Sequence, residues 1–165
     1  MKNRLIELLK DDSLILASGV LPEMAANQLI NYLAEWKRWN AKINLTAETD
    51  EILVVNKHIC ESLQYSRTIE PLGNLADIGS GAGFPGIPIK VIFPSLNVVL
   101  IESQRKRANF LKTVIRSMDL KKIKCIHGRV EDFSHLLGSY EFVVLRHVLE
   151  PKRSLSLGAG LLNKK

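Results

Sequence analysis

Asp77-Ile78-Gly79-Ser80-Gly81-Ala82-Gly83-Phe84-Pro85-Gly86 is the stretch whose reading decides the fold. Ahead of it, residues 74–78 have the pattern of a short strand, and behind it residues 85–93 have that of a helix. Glycines at the alternate positions 79, 81 and 83 let the backbone turn sharply and approach a ligand that a Cβ would exclude. The helix N-terminus that follows offers free N–H groups to an anionic group. Strand, glycine turn and helix in this order open a parallel α/β sheet.

Downstream the pattern repeats. Residues 97–101, Asn-Val-Val-Leu-Ile, form a second strand apolar enough to be covered on both faces. Residues 105–118 form a helix with Phe110, Leu111, Val114, Ile115 and Met118 on its buried stripe. Residues 123–126 and 142–145 supply a third and a fourth strand. Strands alternating with helices at this spacing predict a parallel sheet with right-handed crossovers. Upstream the chain is helical. Ala25, Leu29, Leu33 and Trp36 mark an amphipathic helix over residues 22–43, and Ile52, Val55, Ile59 and Leu63 mark another over residues 50–65. Asn44-Leu45-Thr46 reads as the connection, with Thr49 or Asp50 as N-cap, and Glu70-Pro71-Leu72-Gly73 ends the helical pattern. The expected organisation is a helical N-terminal extension, residues 1–72, on a Rossmann-like α/β core, residues 73–165.

A chain of 165 residues with 46% hydrophobic side chains fits one compact domain, with or without a small extension. Its net charge of +6 gathers at Lys37-Arg38, Arg105-Lys106-Arg107, Lys121-Lys122 with Lys124, and Lys152-Arg153. Such a field suits a polyanionic partner such as RNA. No apolar run approaches the roughly 20 residues that cross a bilayer. The charges in Met1-Lys2-Asn3-Arg4 and Leu5-Ile6-Glu7-Leu8-Leu9-Lys10 exclude a signal peptide, so a cytoplasmic protein without membrane contact is expected. Cys60 and Cys125 lie far apart with no metal-ligand spacing, which argues against zinc and against a disulfide scaffold and predicts two buried small hydrophobes.

Ligands of open parallel sheets bind at the carboxyl ends of the strands. Glu102 stands at the end of the second strand, where an acid can accept hydrogen bonds from both hydroxyls of an adenosine ribose. Two cofactors compete for the loop. Gly81-Ala82-Gly83-Phe84-Pro85-Gly86 matches the dinucleotide fingerprint G-x-G-x-x-G. That fingerprint should begin at the strand end, and Pro85 and Pro88 remove N–H groups that a pyrophosphate cradle needs. Asp77-Ile78-Gly79-Ser80-Gly81, opening on the last residues of the strand, fits S-adenosylmethionine better. After the third strand, Glu131 and Asp132 either flank an adenine or cap the short helix that follows. After the fourth, Arg146 can bind a cofactor carboxylate, an RNA phosphate or a surface carboxylate, and His147 is not assigned as a general base.

These residues resemble the RsmG (GidB) family, bacterial methyltransferases of guanine N7 in 16S ribosomal RNA. The likeness is carried by residues 77–88 (DIGSGAGFPGIP), Glu102-Ser103 with Lys106-Arg107, Phe110-Leu111, Arg129-Val130-Glu131 and Arg146. Trp39-Asn40, Asn44-Leu45-Thr46 and His58-Ile59-Cys60-Glu61-Ser62-Leu63 look like that family's helical extension. The resemblance implies a class I methyltransferase sheet and cofactor contacts at Gly79, Phe84, Val130, Glu131 and Arg146. Asp77, Ser80 and Gly81 complete the loop, and Glu102, aspartate in many relatives, holds the ribose. It implies methyl transfer from S-adenosylmethionine to guanine N7 in the RNA or the 30S subunit, with no catalytic base and no metal. The family usually has Ser-Arg-Ala where this chain has Leu145-Arg146-His147, and Asp in place of Glu61. The first departure sets a bulky ring beside the expected acceptor site. Relatives continue for a helix and three further strands, so a sheet ending at the fourth strand, with an unpaired edge open to dimerisation, is expected. The alternatives are a non-catalytic remnant that binds S-adenosylmethionine or RNA, and an NAD(P)-dependent oxidoreductase.

Overall fold

The computed structural model describes residues 1–10, 19–146 and 150–163. The helical region comprises α1 (Lys2–Lys10), α2 (Pro22–Ile43), α3 (Glu51–Val54), a π-helical turn (Val55–Ile59) and α4 (Cys60–Ser66). Then follow β1 (Asn74–Ile78), α5 (Gly86–Ile92), β2 (Asn97–Glu102), α6 (Arg105–Ser117) and β3 (Ile123–His127). Two 3₁₀ turns, Val130–Asp132 and Ser134–Leu136, lead to β4 (Phe142–Leu145) and α7 (Pro151–Leu161).

The four strands form one parallel sheet in the order β3-β2-β1-β4. Ala76 pairs with Val99 and Val143, and Ile78 with Ile101 and Leu145, so the strand ends that carry the site are level. Successive side chains point to opposite faces. Leu75, Val98, Leu100 and Val144 enter one core with α2, α5 and α6, while Ala76, Ile78, Val99 and Ile101 enter a second. Both faces are therefore buried, as the apolar strands predict. After β3 the chain crosses back to set β4 on the far side of β1, which places the topological switch point between β1 and β4.

The first core holds the N-terminal helices against the sheet. Tyr32, Trp36 and Phe110 are fully buried there, with Leu5, Leu9, Leu29 and Leu33 around them. Burying each such side chain stabilises the fold by roughly 1.5–3 kcal/mol. The Tyr32 hydroxyl donates to Ala82 O at 2.5 Å and so reaches the glycine loop itself. Asn44, in the left-handed conformation, ends α2. The Asn40 side chain then accepts from Thr46 N and donates to Glu48 O, both at 2.9 Å. That clamp fixes the α2–α3 connection. Asp50 is the N-cap, accepting from Ile52 N at 2.7 Å and Leu53 N at 3.1 Å.

The structure departs from the sequence expectation in three places. The helix expected over residues 50–65 is interrupted by a π turn, which apolar spacing does not reveal. Cys60 and Cys125 are free but only partly buried. Helix α7 was not anticipated because Gly158 and Gly160 lower its intrinsic propensity. Gly158 lets α7 sit close on β4, since a Cβ there would lie 3.2 Å from Leu145 Cδ1. At its end Leu162 pairs in parallel with Tyr140, and Asn163 N donates to Tyr140 O at 2.9 Å. The chain thus returns to the outer side of β4, although among the described residues no strand lies along β4 itself there. None of the described helices is long and apolar enough to cross a membrane.

Gly86 makes a very tight approach. A Cβ there would stand 2.5 Å from both Asp77 Oδ2 and Leu100 Cδ2. Gly86→Ala is expected to destabilise the chain by about 1–3 kcal/mol, measured by urea unfolding; unchanged stability would refute the assigned packing of α5 on β1 and β2.

Candidate functional site

Every sequence-predicted site residue lies at the carboxyl ends of the strands. Gly79 turns the chain off β1 with φ +68°, and the amides of Gly79 and Ser80 both donate to Ile101 O, at 2.8 and 3.2 Å. The Ser80 hydroxyl donates to Asp77 O at 2.9 Å, so it closes the turn. The Gly81 amide donates to Glu102 Oε2 at 2.8 Å. The Gln104 amide donates to Oε1 of the same carboxylate at 2.7 Å. Buried Glu102 therefore anchors the loop to β2, and each oxygen keeps lone-pair capacity for a further donor.

Asp77 is fully buried beneath the loop. Its Oδ2 accepts from Gly86 N at 3.0 Å, while Oδ1 has no partner among the described residues. Burial pushes its carboxyl up to about 7, against the lowering effect of the Gly86 amide.

Two cavities meet at Gly79. One, of about 370 Å³, lies between Ser103 and the segment from Gly128 to Glu131. Val130 is buried in its wall, while Glu131 is exposed and pairs with Arg153 at 3.4 Å. Asp132, not Glu131, supplies the local cap, accepting from Arg129 N at 3.3 Å. The other, of about 320 Å³, is bounded by Gly79, Ser80, Gly81, Phe84 and Arg146 on the sheet side. Thr46, Glu48, Lys57, His58 and Arg107 close it from the helices. Cavities of this size and mixed lining suit a small organic ligand.

Sequence reasoning missed that second wall. Arg146 Nη2 donates to Glu61 Oε2 and to His58 Nδ1, the latter at 2.8 Å. His58 Nε2 meets Glu48 Oε2 at 2.8 Å, and Lys57 Nζ meets Glu48 Oε1 at 2.5 Å. Lys57 first and His58 second hold the Glu48 carboxyl down at about 2. The His58 ring stacks on Phe84 at 4.9 Å, and Phe84 meets Tyr32 edge-on at 5.5 Å. The available signal was a histidine and a glutamate three apart on a helix with an otherwise apolar inner face. His147 lies outside the described residues. Among those residues, no cluster of three or more His, Cys, Asp or Glu could hold a metal ion.

The residues present fit a cofactor with one adenosyl and one amino-acid end. Ser103 and Val130 line one cavity, with Glu102 next to Ser103 at the end of β2. Arg146 lines the other, with its Nε buried and without a partner among the described residues, while Asp77 Oδ1, likewise unpartnered, lies beneath the loop rather than in a cavity lining. Asp77 Oδ1 can accept from an ammonium and Arg146 Nε can donate to a carboxylate.

The GidB family model, rRNA small subunit methyltransferase G, matches residues 25–165. The chain is 42% identical over 128 residues to ribosomal RNA small subunit methyltransferase G of Clostridium botulinum (strain ATCC 19397 / Type A), covering 74% of this chain and 53% of that protein. It is 40% identical over 135 residues to the protein of the same name from Thermoanaerobacter sp. (strain X514), covering 80% and 55%. The chain thus spans about half the length of the curated relatives it matches. Among solved structures, M. jannaschii TYW2 in complex with AdoMet superposes with a TM-score of 0.58 at 19% identity, over 64% of this chain and 48% of that one. Coclaurine N-methyltransferase, bound to N-methylheliamine and SAH, gives 0.59 at 13% identity, over 82% and 41%. The fold is that of the class I S-adenosylmethionine-dependent methyltransferases.

The buried Asp77 carboxyl makes stability depend on pH. Its pKa rises from 3.8 to about 7 on folding, so the folded state holds the proton that the unfolded state releases between those values. The contribution is fully present below about pH 4 and is lost as pH rises through about 7. Asp77→Asn is expected to gain stability relative to wild type steadily over that window, read by urea unfolding at successive pH values. A pH-independent difference would refute the raised pKa.

Proposed function

This chain belongs to the GidB family of rRNA small subunit methyltransferases G, and from that premise we propose that it transfers a methyl group from S-adenosylmethionine to N7 of a guanine in 16S ribosomal RNA. The observation that carries this reading is the pair of cavities meeting at Gly79, one of them lined by Arg146, whose Nε has no partner among the described residues. Glu102 holds the ribose, Val130 and Glu131 border the adenine, and Phe84 walls the reacting end. Asp77 takes the ammonium, Arg146 takes the carboxylate, and the backbone of Gly79, Ser80 and Gly81 lies along the middle.

The bound cofactor supplies an electrophilic methyl group on a sulfonium. The chain's own work is placement. Guanine N7 carries an in-plane lone pair, so no side chain has to remove a proton before attack. Rate enhancement then comes from aligning acceptor and donor in line and excluding water. Phe84, His58 and Tyr32 form the rigid wall that such alignment requires. Arg107, which lines the cavity, suits an RNA phosphate. The substrate in this reading is the RNA or the 30S subunit, met in the cytoplasm. The division into a helical segment, residues 1–72, and a Rossmann-like segment, residues 73–165, belongs to the same reading, as does pairing of two copies along the outer edge of β4.

Titration calorimetry with S-adenosylhomocysteine tests the cofactor. Saturable binding is expected for the wild type and none for folded Gly79→Arg, whose side chain fills the junction of the cavities. Labelled methyl transfer to undermethylated 30S subunits then tests the reaction. Binding without transfer would favour the non-catalytic alternative, and stabilisation by NADH alone would overturn the cofactor assignment. Sedimentation velocity tests the pairing of copies: a dimer is expected at micromolar concentration, and a monomer throughout would refute it.

A further inference from the structure

Four charged or polar side chains from three separate segments converge on Arg146: Glu61 from α4, His58 from the π turn, and Glu48 with Lys57 behind His58. Arg146 and His58 are 88 residues apart in sequence; His58 is buried and Arg146 partly so. The chemistry of this chain of contacts has only one direction. A guanidinium has donors and no acceptor, so His58 Nδ1, 2.8 Å from Arg146 Nη2, carries no proton and accepts. The ring proton then resides on Nε2, where the Glu48 carboxylate receives it at 2.8 Å. Protonating His58 on Nδ1 would set an N–H against the guanidinium and break the contact. Three further features hold the ring in place. It stacks on Phe84 at 4.9 Å and 22°. Glu48 is itself fixed by Lys57 and by the Asn40 clamp on its connection. The π turn Val55–Ile59 carries His58, and such turns recur at functional sites.

We propose that His58 is a positioning residue, locked by Glu48 as the neutral Nε2–H tautomer, whose Nδ1 aims the Arg146 guanidinium into the cofactor cleft. The two hydrogens of Arg146 Nη2 are taken by His58 and Glu61. The Nε and Nη1 N–H groups are left as donors for a ligand carboxylate, and of these Nε is buried and without a partner among the described residues. The helical region thereby does more than cover the sheet: it sets the orientation of the group that holds the amino-acid end of the cofactor. The ligand part of this assignment rests on the proposed function above.

Two measurements on the full 165-residue chain test it. The first needs no ligand. Long-range ¹⁵N–¹H spectra of the imidazole rings at pH 7.5, with the His58 signals assigned by their loss in His58→Asn, are expected to show Nε2 protonated and Nδ1 bare. An Nδ1–H tautomer or an imidazolium would overturn the proposal. The second is S-adenosylhomocysteine affinity by calorimetry. His58→Ala is expected to weaken binding about tenfold, the value of one hydrogen bond to a charged group. His58→Asn, whose amide oxygen can stand where Nδ1 stands, should recover most of that loss. Arg146→Ala combined with His58→Ala should bind no more weakly than Arg146→Ala alone. Wild-type affinity in His58→Ala, or full additivity in the double variant, would overturn the proposal. A wild-type chain that binds no S-adenosylhomocysteine would refute the cofactor reading, while the tautomer measurement would still decide the arrangement of His58.

Discussion

The hydrogen bond from the Gly86 amide to the buried Asp77 carboxyl governs the geometry of this molecule. It joins the end of β1 to the start of α5 across the entire glycine turn, so the loop between them has little freedom left. Residue 86 can make that contact only because it lacks a Cβ, which would overlap both Asp77 and Leu100. The loop is then tied sideways, through Ile101 O and the Glu102 carboxylate, to the adjacent strand. A flexible glycine-rich segment becomes a rigid rim by being bonded at both ends and at its middle. The cost is a carboxyl group held away from water with one oxygen unpartnered among the described residues. Such an unsatisfied atom is uncommon among buried polar groups.

A second constraint comes from the other side of the cleft. The Tyr32 hydroxyl meets the loop at Ala82 O, and His58 stacks on Phe84, so α2 and the π turn touch the loop directly. The rim is therefore shared between the sheet and the helices, and neither segment builds the site alone. The Asn40 clamp extends this to the connection between α2 and α3, where Glu48 resides. Packing of apolar side chains brings the helices to the sheet, and polar contacts of fixed length decide how they face it.

How much of this is legible in the sequence differs sharply between the two walls. The sheet, its order of elements and the glycine loop are local patterns, and residues 77–88 with Glu102 announce them within thirty positions. Val130 and Arg146 follow because each stands just after a strand. The helical wall is not local. Nothing in the neighbourhood of His58 says that it meets an arginine 88 residues on, or that Glu48 stands behind it. The π turn escaped for a related reason, since apolar residues at 52, 55, 59 and 63 satisfy an unbroken α-helix equally well. Glu102 was placed correctly at its strand end, but its bonds to the Gly81 and Gln104 amides were invisible until the loop had a shape. Helix α7 was hidden by its own glycines, which lower propensity while permitting the close approach to Leu145 that makes the helix worth forming.

The π turn has one further consequence. A residue in an α-helix is rotated by roughly 100° from the one before it, so a turn that takes in an additional residue shifts everything after it out of phase with everything before. Val54 and Leu63 are both buried, yet they lie on opposite sides of that shift. Trimming one residue from Val55–Ile59 would return the helix to its commoner geometry and improve its internal bonding. It would also swing either the hydrophobic side of α3 or that of α4 out toward water and carry His58 around the axis, away from Phe84. The stretch is thus a dislocation written into the helix, retained because two faces with different duties have to be served by one continuous backbone.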